Sequence, residues 1–251
     1  MMKYAALKLD AENGERPSIY WGYVMYGILM EKFSAKFAKE LHEQSLKPIS
    51  QYIMPLKADG AVWRLNFLSK EAIEEAAPVI KEMEMTGCRS SGKSLSFKLS
   101  NLELSETVSS KDFCRKFLTV ENPSKSMLIR FITPCSFKSD EQYCIFPSAE
   151  LLLKSAVNKW NAFSDDFVMH DEDAFKELAK RTKITRYELK SVAYHVKGAV
   201  VPSFMGTVVL SIKGPDPLLR IFNLLISYLE YCGAGVKTAL GMGGCEVERL
   251  E

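Results

Sequence analysis

The order in which strand-like and helix-like stretches follow one another constrains this chain more than any single residue does. "KYAALKL" reads as an opening strand, and a helix-period stretch follows from Trp21 to about His42, with Val24, Ile28, Phe33, Phe37 and Leu41 at helical spacings. Two short strands come next, at 49–56 and 61–68, parted by the turn signal Asp59-Gly60. "KEAIEEAAPVIKEME" is a second helix with Pro78 as a possible kink, and Leu95, Phe97 and Leu99 alternate along a half-buried strand. The order is β-α-β-β-α-β, the split βαβ or ferredoxin-like unit.

The second half repeats that order. "SMLIRFITPCSF" is a strand, "SAELLLKSAVNKWNAFS" a helix with Ser148 as its N-cap, and a shorter helix lies near 172–181. "YELKSVAYHVKG" and "VPSFMGTVVLSIKG" pair as a hairpin, and Asp216-Pro217 supplies an N-cap and an N1 proline for "LLRIFNLLISYLEYC". "GCEVERL" closes as a strand. The expected fold class is α+β, two tandem ferredoxin-like (βαββαβ) domains, residues 1–121 and 126–251, divided near "VENPSKS". The two halves share element order and no alignable repeat.

Composition sets bounds on function. The 251 residues carry a net charge of only +2, so any polynucleotide site must be a local patch rather than a global field. No long apolar run spans a membrane and no leader-like segment opens the chain, so the expected location is the cytoplasm. Six cysteines lie scattered without a C-x-x-C pair, and three histidines do not complete a metal site. The cysteines read as buried thiols, and no cofactor is expected.

One stretch resists a purely structural account. "YCGAGVKTALGMGGCEV" holds Gly233, Gly235, Gly241, Gly243 and Gly244 around Lys237-Thr238. A helix C-cap followed by a glycine-rich strand entry is the plain explanation. A Walker A loop is excluded, because Val236 separates Gly235 from Lys237 and because this loop follows a helix and enters a strand. The third reading is a loop whose N–H groups and lysine follow a polynucleotide backbone, on a sheet of the topology that RNA-recognition domains use.

Gly233-x-Gly235-x-Lys237-Thr238-x-Leu240-Gly241-x-Gly243 is similar to the C-terminal glycine-rich motif of the CRISPR-associated endoribonucleases that cut precursor CRISPR RNA within its repeats, members of the repeat-associated mysterious protein (RAMP) superfamily. Met242 stands where that motif usually has an aromatic residue. "FITPCSF" at 131–137 resembles the family's strand entering its second domain, and "LHEQSLKPIS" at 41–50 its segment after the first helix. The resemblance implies metal-independent cleavage through attack of a ribose 2′-oxygen on the adjacent phosphorus, leaving a 2′,3′-cyclic phosphate. It implies CRISPR repeat RNA as partner, with other CRISPR effector subunits as further candidates, no membrane, and either a monomer or a homodimer. A non-catalytic RNA-holding member of the superfamily and a ferredoxin-like metabolite-binding or assembly domain are the alternatives.

That chemistry needs a base, an acid and positive charge at the phosphorane. The resembling enzymes carry a tyrosine, a histidine and a lysine in this region and order, and Tyr26, His42 and Lys47 match them by position. Tyr26 precedes His42 by sixteen residues, about four and a half turns, so their meeting requires a helix break near Ser34. A helix C-terminal histidine interacting with the macrodipole is the competing structural role for His42. His195, in the hairpin, is the alternative; His170 sits in an acidic run hostile to phosphate. For RNA contact the expected residues are Gly233, Gly235, Lys237, Thr238 and Gly241, together with Arg186 and Lys190 from the basic run Arg181, Lys183, Arg186, Lys190 and Lys197. Lys36 and Lys39 add charge near His42, whereas Trp63 and Trp160 read as core.

Overall fold

A computed structural model describes residues 1–12, 14–57, 59–90, 95–139, 141–165, 167–196 and 198–250. The elements of the first half are β1 (Lys3–Ala11), α1 (Gly22–Lys32), α2 (Ala35–Glu43), β2 (Ile49–Pro55), β3 (Ala61–Phe67), α3 (Lys70–Thr86), β4 (Cys88–Arg89) and β5 (Ser96–Leu104). There follow α4 (Ser110–Leu118), β6 (Ser126–Cys135), β7 (Phe137–Ser139), β8 (Gln142–Cys144), α5 (Ala149–Phe163) and α6 (Glu172–Arg181). The hairpin β9 (Thr182–Val196) and β10 (Ala199–Ile212), α7 (Asp216–Cys232) and β11 (Cys245–Leu250) complete the chain. Short 3-10 turns occupy Ile19–Trp21 and Thr238–Leu240.

The first sheet runs β2-β3-β1-β5-β4 and the second β11-β6-β10-β9. Every ladder is antiparallel, with the first and third strands of each unit central. These are tandem ferredoxin-like folds, as the element order led us to expect. Alternation sets the faces: Ala5, Leu7 and Leu9 point into the first core with Trp63, Leu65, Phe97 and Leu99. The intervening Tyr4, Arg64 and Tyr52 line a cavity of about 480 Å³ against Leu128, Arg130 and β11 of the second sheet. Trp63 and Trp160 are core residues, 0% and 1% exposed.

Several local expectations need correction. The helix-period stretch from Trp21 to His42 is two helices, and the break falls at Ser34, where a meeting of Tyr26 with His42 would need it. Phe33 is extended (ψ 158°), and Ser34 caps α2 by accepting the Phe37 N–H at 3.3 Å. Glu75 of α3 holds the break, accepting from the Ser34 hydroxyl at 2.8 Å and its N–H at 3.3 Å. At α7, Pro215 is the N-cap and Asp216 already lies in the helix, so the cap sits one residue earlier than Asp216-Pro217 suggested. Helix α4, the β7–β8 hairpin and the two-residue β4 had no counterpart in the sequence reading. Phe113 and Phe117 of α4 enter the second core beside Trp160 and Tyr228, although α4 precedes the second sheet in sequence.

Candidate active site and nucleic-acid interface

Three segments from distant parts of the chain converge where the two folds meet: the start of α1, the α2–β2 connection and the glycine motif. The glycines explain how they fit together. A Cβ on Gly241 would lie 2.8 Å from the Gly22 Cα, and one on Gly22 would lie 2.7 Å from the Gly241 Cα. Two backbones therefore touch with no side chain between them. Gln51 fastens the contact: its amide donates to the carbonyls of Gly22 (3.0 Å) and Ala239 (2.8 Å), and it accepts from the Trp63 indole at 2.6 Å. Tyr194 of β9 donates to the Leu240 carbonyl at 2.6 Å. Tyr194, Val196, Val201 and Met242 then form a small core against Tyr23 and Leu240. Met242, the departure from the motif, is fully buried in that junction.

The motif's interior is equally closed. Gly235 sits at φ 74° with an imagined Cβ 2.2 Å from the Ser136 carbonyl oxygen. Its N–H donates to the Ser155 hydroxyl at 2.9 Å. The Gly233 N–H donates to the Leu229 carbonyl at 2.8 Å, capping α7, and the Gly241 N–H reaches the Thr238 carbonyl at 3.4 Å. The expectation that Gly233, Gly235 and Gly241 offer N–H groups to phosphate is thus corrected: those donors are engaged inside the protein. Lys159 of α5, 5% exposed, donates from below to the carbonyls of Cys232 (2.9 Å), Gly233 (2.8 Å) and Gly235 (3.3 Å). Burial lowers its pKa. No sequence signal singled out Lys159; only the fold places it beneath the loop.

What the loop leaves exposed is Lys237, since Thr238 and Ala239 after it are buried, at 8% and 4% exposure. Lys237 is exposed and left-handed, φ 55° and ψ 32°, at the head of the 3-10 turn. Among the described residues, the N–H groups of Lys237, Thr238 and Ala239 make no hydrogen bond. The Thr238 side chain packs inward, 2.9 Å from where a Gly233 Cβ would stand.

Tyr26 lies on α1 one turn beyond Gly22, on the face that meets the glycine motif. It is half-buried, and burial raises its pKa. His42 is exposed in the last turn of α2, and its ring makes no hydrogen bond among the described residues. The capping role considered for His42 falls to Lys47, whose ammonium donates to the carbonyl of Gln44, the α2 C-cap. Lys47 is half-buried, and burial lowers its pKa. Lys36 and Lys39 pair with Glu40 and Glu43, each at 3.9 Å, and Lys36 faces a groove shared with Glu71, Glu74 and Glu75 of α3. They add no free positive charge beside His42.

Arg186 and Lys190 share the open face of the second sheet with Glu188 between them. Arg181 pairs with Glu177, and Lys197 lies outside the described residues. His195 is exposed with its ring edge-on to Tyr20, centroids 6.1 Å apart. His170 borders an apolar pocket beneath α6, lined also by Phe175 and Leu178.

Residues 129–245, which include the glycine motif, match the family model described as CRISPR-associated endoribonuclease Cas6. A CRISPR-associated endoribonuclease Cas6 of Mycobacterium tuberculosis is 25% identical over 97% of this chain and 77% of its own length. One from Streptococcus thermophilus is 26% identical over 89% of each chain. Among solved structures, a Cas6 product complex matches with a TM-score of 0.80 at 20% identity, covering 99% of this chain and all of that one. Thermus thermophilus Cas6 matches with a TM-score of 0.73 at 18% identity, over 99% and 98% of the two chains. The similarity runs through both folds, and the resemblance first seen in the glycine motif is borne out.

Proposed function

We propose that this relative of the CRISPR-associated Cas6 endoribonucleases cuts the repeats of a CRISPR precursor RNA without a metal ion, by attack of a ribose 2′-oxygen on the neighbouring phosphorus. The observation that carries the reading is the convergence of α1, the α2–β2 connection and the glycine motif at one junction. Tyr26 belongs to α1, Lys47 to the α2–β2 connection and Lys237 to the glycine motif, while His42 stands in the last turn of α2 that leads into that connection. Solved structures of similar fold include Cas6 product and substrate-mimic complexes and a RAMP protein binding different RNA substrates, which supports RNA as the partner here.

In this mechanism the exposed His42 imidazole, which makes no hydrogen bond among the described residues, accepts the 2′-hydroxyl proton as the 2′-oxygen bonds to phosphorus. The 5′-oxygen leaves and takes up a proton, giving a 2′,3′-cyclic phosphate and a 5′-hydroxyl. Burial raises the Tyr26 pKa, so the phenol stays protonated at neutral pH and donates its O–H to the phosphorane or the departing oxygen. Lys47 supplies ammonium N–H groups to the same oxygens, exchanging its Gln44 contact for phosphate. Lys237, exposed at the head of the following turn, holds a flanking phosphate. No group of three or more His, Cys, Asp or Glu side chains among the described residues is arranged to hold a metal ion.

The test is single-turnover cleavage of repeat RNA in excess EDTA. His42→Ala is expected to bind RNA nearly as well as the parent and to cut it about 10²–10⁴ times more slowly. Near-parental cutting by that variant would move the base to His195 or elsewhere. A parent that binds and never cuts would be an RNA-holding subunit, and a divalent-metal requirement would overturn the mechanism.

A further inference from the structure

Resting on the reading just given, we infer that a second seat for the RNA backbone lies in the groove between α5, β7 and the glycine motif, with Lys138 and Lys154 as its phosphate ligands. The groove encloses about 350 Å³. Its floor is Gly235 and Val236, one wall is the α5 face carrying Lys154, Ser155 and Asn158, and Lys138 stands on the opposite wall. Leu46 closes one end. The neighbour of Leu46 in sequence is Lys47, so the groove opens directly beside the proposed cleavage site.

Charge distinguishes this groove from two other polar clefts of the described residues. The cavity between the sheets sets Arg64 and Arg130 against Glu230, Glu246 and Glu248. The cleft between α2 and α3 sets Lys32 and Lys36 against Glu40, Glu71, Glu74 and Glu75. The α5 groove is lined by Lys138, Lys154 and Lys159 and by no carboxylate. Lys159 is buried and occupied by loop carbonyls, whereas Lys138 and Lys154 are exposed and make no ion pair among the described residues. A polyanion therefore meets uncompensated charge here and compensated charge in the other two clefts. The hydrogen bond from the Gly235 N–H to Ser155 fixes α5 to the loop, so Lys154 and Lys237 are held on one rigid frame. Backbone lying across Lys237 continues along α5.

The experiment measures repeat-RNA affinity against salt for the full chain, for Lys138→Glu and Lys154→Glu, and for Lys36→Glu as a control in the acidic cleft. The parent is expected to show a steep slope, and each groove variant to lose about one unit of it, or roughly 0.7 where the RNA is single-stranded. Lys36→Glu should keep the parental slope. Parental slopes in Lys138→Glu and Lys154→Glu, with an unchanged melting temperature, would overturn the groove and leave the proposed function standing. Loss of equal size in Lys36→Glu would mean non-specific adhesion and would also overturn it. A parent without salt-dependent binding would overturn the function and the groove together.

Discussion

At the scale of single residues, Lys237 is the most informative position in the chain. Only three non-glycine residues have positive φ among those described, and Lys237 is the one embedded in a glycine-rich motif. Gly235, Gly241 and Gly243 are required by backbone approaches that leave no room for a Cβ, and Gly233 by the Thr238 side chain packed against it. Lys237 bears a similar dihedral with a side chain attached, at a cost of about 1–3 kcal/mol for a left-handed non-glycine residue. Its side chain points to solvent and makes no contact that repays this cost. Lys237→Gly is therefore expected to match or exceed the parent's stability, by up to about 1 kcal/mol, while RNA affinity falls and the salt slope shrinks by roughly one. A Tm drop together with intact affinity would make the lysine structural. Gly235 behaves oppositely: any side chain there drives into Ser136, so Gly235→Val should disrupt folding and RNA binding together. That variant cannot separate the two.

At the scale of elements, periodicity revealed what local sequence controls. The alternating Leu95, Phe97 and Leu99, the Ser148 cap and the Asp59-Gly60 turn all stand where the pattern put them, because neighbours within a few residues decide them. The α1–α2 break was not legible in that way. Its helical apolar pattern continues through Phe33 and Phe37, while the break is held by Glu75, more than forty residues away in sequence. Helix α4 was missed for a related reason, since its apolar residues answer to a core assembled later in the chain. Among site residues, Tyr26, His42, Lys47 and Lys237 could be proposed from the motif resemblance, yet Lys138, Lys154 and Lys159 emerge only from the packing of α5 under the loop.

The Glu75 clamp yields an element-scale prediction. Ser34→Ala removes an N-cap and leaves Glu75 without its hydroxyl partner, costing about 1 kcal/mol in a denaturant titration. Because α2 carries His42, cleavage at saturating RNA should fall further than stability does; parental cleavage would show that the break does not position His42. A second element-scale prediction concerns Glu230, near the end of α7, which accepts the Val247 N–H of β11 at 2.9 Å. Burial dominates over Arg64 and raises its pKa, so the folded state favours the protonated acid. Its contribution is present in full below the unfolded carboxylate pKa and is lost as pH rises through the folded value. Glu230→Gln should therefore stabilise the protein at neutral pH, with the gain vanishing as pH falls below about 4.5. A gain independent of pH would point to packing instead.

At the scale of the whole molecule, the two folds have separate cores, and their coupling rests on a narrow junction. The first core holds Trp63 and Phe97, the second Trp160 and Phe222, and between them lies the small cluster of Tyr194, Val196, Val201 and Met242. Gln51 is the polar counterpart of that cluster, buried at 1% exposure and joining strand β2, helix α1 and the glycine motif through three hydrogen bonds. Gln51→Leu would leave the Trp63 N–H and the Ala239 carbonyl without partners, each at about 1–3 kcal/mol, and would cut the Gly22 carbonyl back to its helical bond within α1. The strain falls on the junction and spares both cores. Calorimetry should then show the variant's unfolding split into two transitions, with the lower one well below the parental Tm. Cleavage should drop although Tyr26, His42, Lys47 and Lys237 are all retained, because Tyr26 and His42 sit on one fold and Lys237 on the other. A single transition near the parental Tm with normal cutting would mean that Gly22–Gly241 packing alone sets the geometry of the cleavage site.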